Sequence, residues 1–340
     1  SAVPTLAKQA KTGVEGQAVG AGTCTVAPGT PYPTIQSAVD DTNCQTIQVG
    51  VGDYIQSTTI DRDVTIVGST EHPTVVHGAP ALPVFDIGSG ATVVLKDLQI
   101  MGGSGHPNGQ ESQGGGIYNA GTLTLIGVRV HDNKAVDGGG IYNAGTLTLD
   151  TQSSVYSNTA LDGGGIYNAG TLTLSGQSSV HGNTATNKGG GIYNAGTLVL
   201  NDAEVYANKA LEGGGIYNVV TLRLNAGSSV HDNVATHDGG GIFNDGALYL
   251  CGGTVSSNHL TTPTGPENNV SGTPAQECPP TSPGPGGGPP EEGNRVLVEH
   301  KGKELCLPEA ALKGHLKHGD EVIDEQGCSN TDQGSRRGLK

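Results

Sequence analysis

One phrase decides what this chain can fold into. Gly-Gly-Gly-Ile-Tyr-Asn returns six times between residues 114 and 258, the last copy with Phe for Tyr, and its Ile falls at 117, 141, 166, 192, 216 and 242. A second landmark, the Asn that ends a loose Ser/Ala-x-Val-x-x-Asn phrase, falls at Asn133, Asn158, Asn183, Asn208, Asn233 and Asn258, 25 residues apart every time. A fixed period of this length signals a solenoid, in which no repeat can bury its apolar face alone. Each repeat reads as three short strands; in the second copy these are 140–143, 146–149 and 153–156. Thr-Leu-Thr-Leu alternates with strand period, no run has the 3.6-residue period of a helix, and glycine marks the corners. Three strands and three turns per repeat predict one rung of a right-handed parallel β-helix.

Alternation assigns the faces. Ile141, Asn143, Leu147, Leu149 and Val155 point inward, and Tyr142, Thr146 and Thr148 outward. Stacked rungs set equivalent residues about 4.8 Å apart. Asn119, Asn143, Asn168, Asn194, Asn218 and Asn244 then form one ladder and Asn133 through Asn258 a second. Each side-chain amide donates to one neighbour and accepts from the other, which makes these residues structural.

The chain has 340 residues with 57 Gly, no Trp and 34% apolar residues, lean for a globular core but enough for a narrow column. A net charge of −15 argues against nucleic acid and anionic membrane surfaces. No stretch is long and apolar enough to span a bilayer as a helix. Six cysteines form sequence-local pairs, Cys24 with Cys44, Cys251 with Cys278 and Cys306 with Cys328, among fifteen possible connectivities. Their even count points to an oxidising, extracellular or cell-surface setting. The chain opens at Ser1 and its only Met is Met101, so removal of an initiator and a signal peptide is expected.

Along the chain, residues 1–31 read as a flexible tail. Residues 32–43 (YPTIQSAVDDTN) predict a cap helix with Thr34 as N-cap and Ile35, Ala38 and Val39 on one face, covering the first rung. Residues 46–113 predict irregular rungs that end in a loop at 102–113, and 114–258 the six regular repeats. Residues 259–293 read as a Pro/Gly linker; it carries the sequon Asn269-Val-Ser. Residues 294–340 predict a small module of two strands and a helix (Pro308–His318), stapled by the Cys306–Cys328 pair.

Residues 32–258 resemble the pectate-lyase-like right-handed β-helix superfamily, through PTIQSAVDD, TIQVGVGDY and IDRDVTIVG at the start and the repeat phrases thereafter. The phrases GGGIYNxGTLTL and SxxxxN are similar to those of bacterial secreted adhesins, exoproteins and polymorphic outer-membrane proteins. The resemblance implies the fold; the same fold hosts lyases, hydrolases, adhesins and inert scaffolds. Residues 299–328 resemble a short module at the ends of secreted bacterial proteins, here Glu299-His300-Lys301-Gly302-Lys303, Ala311-Leu312, His315-Leu316-Lys317-His318-Gly319-Asp320 and Cys328, with Glu299 where that pattern has its first Cys.

Four features carry candidate chemistry. Tyr118, Tyr142, Tyr167, Tyr193, Tyr217 and Phe243 form an outward aromatic wall, a platform for sugar rings or self-association, or simply a ladder that stabilises stacking. Thr122/Thr124, Thr146/Thr148 and Thr171/Thr173 make a flat row that Arg223 and Tyr249 later roughen. Asp137, Asp162, Glu212 and Asp238 form an acidic column interrupted by Lys188, a candidate for Ca²⁺ or a solvated edge. His315-x-x-His318 with His300 and Asp320 is the candidate Zn²⁺ set, against a helix end favoured by histidines. The array lacks the paired carboxylates of a glycosidase and the basic residues of a lyase. The sequence therefore predicts a non-enzymatic extracellular structural protein, self-assembling into a filament or layer through a far end with no cap helix. The alternatives are a glycan- or host-binding adhesin that uses the Tyr wall and, third, a polysaccharide lyase or hydrolase.

Overall fold

The computed structural model describes residues 22–108, 111–260 and 268–278, and the backbone of three later strands, Arg295–His300, Lys303–Pro308 and Glu321–Asp324. The chain divides into two compact units, 1–278 and 279–340. The first is an all-β, right-handed parallel solenoid of about nine turns. Three long parallel sheets form its walls. A Leu sheet of ten strands runs from Thr23–Val26 to Ala247–Cys251; an Ile sheet of nine runs from Thr58–Ile60 to Val270–Gly272; a Val sheet of nine runs from Gly52–Ile55 to Thr254–Ser256.

Register pairs like with like. Ile141 lies against Ile117 and Ile166, Leu147 against Leu123 and Leu172, Val155 against Val130 and Val180. All of these are fully buried, so the core is one unbroken column of aliphatic side chains. Each rung alone would leave its apolar face in water, and stacking removes that face at roughly 25 cal/mol per Å².

The rung has a fourth side that the three-strand reading missed. Thr159–Asp162, Thr184–Lys188, Lys209–Glu212, Val234–Asp238 and His259–Leu260 form a five-stranded sheet. Its buried residue is only an alanine (Ala160, Ala185, Ala210, Ala235), and its register shifts at a bulge. Neither feature looks like a strand in sequence. Residues 102–113, read as a loop, hold an antiparallel hairpin of His106–Asn108 with Glu111–Gln113.

The glycine triplet follows from rung contact. Gly138 sits at φ +63°, which only glycine adopts without cost, while a Cβ on Gly139 would lie 2.5 Å from the carbonyl oxygen of Gly164 in the next rung. At a second corner every rung places a left-handed residue just before the ladder Asn: Asp132, Ser157, Gly182, Ala207, Asp232 and Ser257.

Each end of the solenoid carries a covering segment. At the start, Ile35–Val39 is a five-residue helix with a Thr34–Ser37 capping box, shorter than residues 32–43, and it buries Ile35, Ala38 and Val39. Gln36 satisfies the edge of the Ile sheet: its Oε1 accepts from Thr59 N at 2.8 Å and its Nε2 donates to Thr59 O at 3.2 Å. Arg62 binds the carbonyls that follow the helix, Val39 at 2.7 Å and Cys44 at 2.8 Å. The Cys24–Cys44 disulfide ties the first strand to this cap.

At the far end the solenoid runs past Asn258, into the stretch read as linker. Val270–Gly272 pairs with Ile242–Asn244, Gln276 bridges to Tyr249, and Cys251 is bonded to Cys278. Asn268-Asn269-Val270-Ser271-Gly272 occupies the place of Gly-Gly-Ile-Phe-Asn, so this is a degenerate seventh repeat. Asn269, the sequon residue, ends the second Asn ladder, its Oδ1 accepting from Asn258 N at 3.1 Å and Nδ2 at 3.0 Å.

In the second unit Arg295–His300 pairs antiparallel with both Lys303–Pro308 and Glu321–Asp324, three strands where two were expected. The tail up to residue 21, most of the helix placed at Pro308–His318 and the Cys306–Cys328 bridge lie outside the described residues.

The left-handed corner supplies a clean test. A Cβ at position 182 meets nothing within 4 Å, so Gly182→Ala isolates the backbone cost. It should destabilise the solenoid by about 1 kcal/mol, and Ala207→Gly in the same column should stabilise it by a similar amount. Urea unfolding of both variants measures the pair.

Candidate functional site

Five columns of polar or aromatic side chains run along the solenoid. The first Asn ladder is buried at the corner between the Ile and Leu sheets. Asn143 Nδ2 donates to Asn168 Oδ1 at 2.7 Å and to Thr171 O at 3.0 Å, and Asn119, Asn168, Asn194 and Asn218 repeat the pattern up to Asn244. In the second ladder Asn183 Oδ1 accepts from both Asn158 N and Nδ2 at 3.0 Å, while Asn183 Nδ2 donates to Val155 O, His181 O and Asn208 Oδ1. Every donor and acceptor of these amides is spent on the fold, so they offer nothing to a ligand.

The Tyr wall is a continuous stack. Rings of Tyr118, Tyr142, Tyr167, Tyr193, Tyr217 and Phe243 lie 4.7 to 5.5 Å apart between centroids. Such pairs contribute about 0.5–1.5 kcal/mol each beyond area burial. The rings are half-buried, and Tyr217 is only 4% exposed. Their faces are covered by one another, which leaves edges rather than faces to solvent. Burial raises the phenol pKa of Tyr142, Tyr193 and Tyr217, and raises that of Tyr167 furthest, with neighbouring phenols and carboxylates adding to it.

A second aromatic stack went unread in the sequence. On the Val sheet His131, Tyr156, His181, Tyr206 and His231 alternate, with centroids 4.8 to 5.2 Å apart. Asp132 and Asp232 hold the first and last imidazoles through Nδ1 at 2.7 and 2.8 Å. His181 is followed by Gly182 instead, and burial lowers its pKa. The signal was present two residues before Asn133, Asn158, Asn183, Asn208 and Asn233, where Tyr or His recurs.

The acidic column is in register: Asp137 lies beside Asp162, Asp162 beside Lys188, Lys188 beside Glu212, and Glu212 beside Asp238. Asp162 accepts from Asn187 Nδ2 and Lys188 N at 2.9 Å; burial raises its pKa and these bonds oppose that. Lys188 Nζ donates to Tyr217 Oη at 3.0 Å and sits 3.9 Å from Glu212, and Tyr217 in turn donates to Asp245 at 2.9 Å. The hydrogen bond to Tyr217 is the chief cause of a raised Lys188 pKa. The lysine thus neutralises its neighbours and tethers the Tyr wall. Among the described residues no three His, Cys, Asp or Glu gather closely enough to hold a metal ion. The candidate Zn²⁺ set is not tested by this, because His315, His318, Asp320 and the His300 side chain lie outside the described residues.

Two comparisons with known proteins bear on this geometry. Residues 177–195 match the Chlamydia polymorphic membrane protein repeat, a stretch that spans the Asn183 corner and the GGGIYN phrase. The solenoid is similar to the pectin methylesterase from Aspergillus niger, at 13% identity and a TM-score of 0.46, covering 75% of this chain and 91% of that one. No curated protein matches the sequence. No helix among the described residues is long and apolar enough to cross a membrane.

Two measurements follow. Asn183→Ala leaves Asn158 N and the carbonyls of Val155 and His181 without partners in the interior, and should cost about 2–4 kcal/mol by chemical unfolding. The Tyr wall gives an alkaline limit. The phenols of Tyr142, Tyr167, Tyr193 and Tyr217 are neutral when folded and bind their protons more tightly than the unfolded chain, whose phenols titrate near 10.0. The unfolded state therefore loses protons first, and stability, level below that pH, should fall progressively above it. Ultraviolet titration of tyrosinate against circular dichroism should show ionisation tracking unfolding; free ionisation of all Tyr with the fold intact would contradict the stacked geometry.

Proposed function

We propose that this chain is a non-catalytic, extracellular surface protein of the adhesive type, whose solenoid is a stiff scaffold that holds a binding surface in place. The observation that carries this is a covering segment at each end, a cap helix at the start and a partial rung at the finish. The filament reading took its strength from an uncapped far end, and that end carries a degenerate rung stapled by the Cys251–Cys278 disulfide. Two disulfides formed within the solenoid favour an oxidising compartment. The match to a polymorphic membrane protein repeat favours a surface location, though it spans only 177–195.

The Tyr wall is a poor sugar platform on this geometry, because stacking on sugar needs ring faces and those faces are occupied. Nor does the acidic column favour an enzyme: Asp162 is bound to strand amides and Glu212 faces Lys188.

Electron microscopy of the purified chain, with binding of the labelled chain to cultured cells, tests the proposal. Separate short particles at all concentrations and saturable cell binding are expected. Ordered filaments would restore self-assembly, and release of methanol, reducing ends or unsaturated sugar from pectin would replace the reading with an enzymatic one.

A further inference from the structure

The corner between the Leu and Val sheets is regular and tight along most of the solenoid, and it opens once. Between Val64–Val67 and Thr74–His77 the chain takes a long excursion through residues 68–73, where the next rung needs only Asp97 and Leu98 to turn the same corner. The excursion stands over the turns of the following rungs and makes one wall of a cleft of about 360 Å³. It is a built wall: Thr74 Oγ1 accepts from Ser69 N at 3.0 Å and is itself anchored on Gly50 O at 3.1 Å, with Thr74 fully buried. The cleft touches residues of four successive rungs, so it runs along the solenoid axis for about three rung spacings, or roughly 14 Å.

Its lining is polar and mixed in sign. Glu71 and His72 come from the wall, Asp97 from the floor, Gln99 and Arg129 from registered positions on the Val sheet, and Thr151 from the next turn. The side chains of Glu71, Asp97, Gln99 and Arg129 have no hydrogen bond and no ion pair among the described residues. Asp97 holds a left-handed backbone at φ +52°. A Cβ at Gly127 would lie 2.8 Å from its Oδ1, so glycine there makes room for the carboxylate on the cleft floor. The two Asn ladders, by contrast, spend their polar groups on the fold. Here a guanidinium, two carboxylates and an amide stand unpaired around one cavity.

We propose that this cleft is a binding site for a neutral, hydroxyl-rich glycan; the inference rests on the adhesive reading above and names its ligand. Hydroxyl groups both donate and accept, so a ligand rich in them serves carboxylate acceptors and a guanidinium donor side by side without carrying charge itself. The lining is more polar than apolar, with Pro73 and Leu98 its apolar members, which disfavours lipids and amphipathic helices. Two carboxylates against one Arg, on a chain of net charge −15, disfavour phosphates, nucleic acids and polyanionic sugars. The axial groove also offers a new turn with each rung, a spacing close to the length of one pyranose unit.

The full chain is applied to an array of neutral glucose-, mannose-, galactose- and N-acetylhexosamine-based oligosaccharides, with sialylated and uronate glycans as charged controls. Binding to a neutral group is expected, at least tenfold weaker in Arg129→Gln and Asp97→Asn with an unchanged melting temperature, and retained in Tyr193→Ala. Should Asp97→Asn disturb folding, Glu71→Gln on the wall gives the second reading. Neutral-glycan binding that survives these variants overturns the cleft and leaves the adhesive reading standing. Binding of acidic glycans alone, or of none, overturns the inference, while cell binding and particle shape still judge the adhesive reading separately.

Discussion

Rung spacing governs this molecule. Parallel backbone hydrogen bonds hold successive strands about 4.8 Å apart, so every side chain has a counterpart directly above and below it. A residue type can occupy a column only if it tolerates a copy of itself at that distance. Aliphatic side chains do so by packing, as Ile117 through Ile242 show. Amides do so because each is donor and acceptor together, as Asn119 through Asn244 show. Aromatic rings do so by stacking. Charged groups do so least readily: like charges lie adjacent only in pairs, Asp137 beside Asp162 and Glu212 beside Asp238, and the column is not carried through unbroken. The acidic column is broken by Lys188, which separates Asp162 from Glu212. The imidazoles of His131, His181 and His231 are kept apart by Tyr156 and Tyr206.

The same rule explains what could be read from sequence. Where a column repeats one residue at one period, the sequence shows it directly: Ile, Leu, Val, Tyr and both sets of Asn were legible, with their facing. Where the column must alternate, the repeat becomes two rungs long. The His–Tyr stack was lost for that reason, although each member stands two residues before a ladder Asn. The fourth sheet was lost for another. It buries only Ala160, Ala185, Ala210 and Ala235, and a bulge breaks its strand period. The degenerate last rung was hidden because Asn268 and Asn269 replace the glycines that announce every other copy. Its one clear trace was Cys278, standing 27 residues from Cys251 where the array period is 25.

A column of identical groups also exposes identical edges, so the ends of the stack need their own chemistry. An unpaired terminal strand is a template for another chain. The start answers with side chains that imitate backbone. Gln36 donates to and accepts from Thr59 as a neighbouring strand would, and Arg62 gathers the carbonyls behind the helix. The finish answers with a rung that fails by degrees, Val270–Gly272 pairing while Asn269 still completes its ladder. A disulfide at each end fastens the outermost segment to the rung it covers, where fraying would otherwise begin.

Repetition limits where specific recognition can reside. A wall that presents the same Tyr edge or the same Thr at every rung can hold a ligand in many equivalent registers, and it cannot single out one. Point specificity requires a place where neighbouring rungs differ. In the regular array such differences are few, and the largest, Lys188, is absorbed by Tyr217 and Glu212. The early rungs are different. Residues 68–73 have no counterpart in the rungs that follow, and Arg129 stands where the next rung has Ser154. These two departures from the repeat meet at one corner, beside charges that have no hydrogen bond or ion pair among the described residues. The amides of the two Asn ladders are spent on the fold, whereas the charges at this corner have no hydrogen bond or ion pair among the described residues, and stacking alone does not explain them.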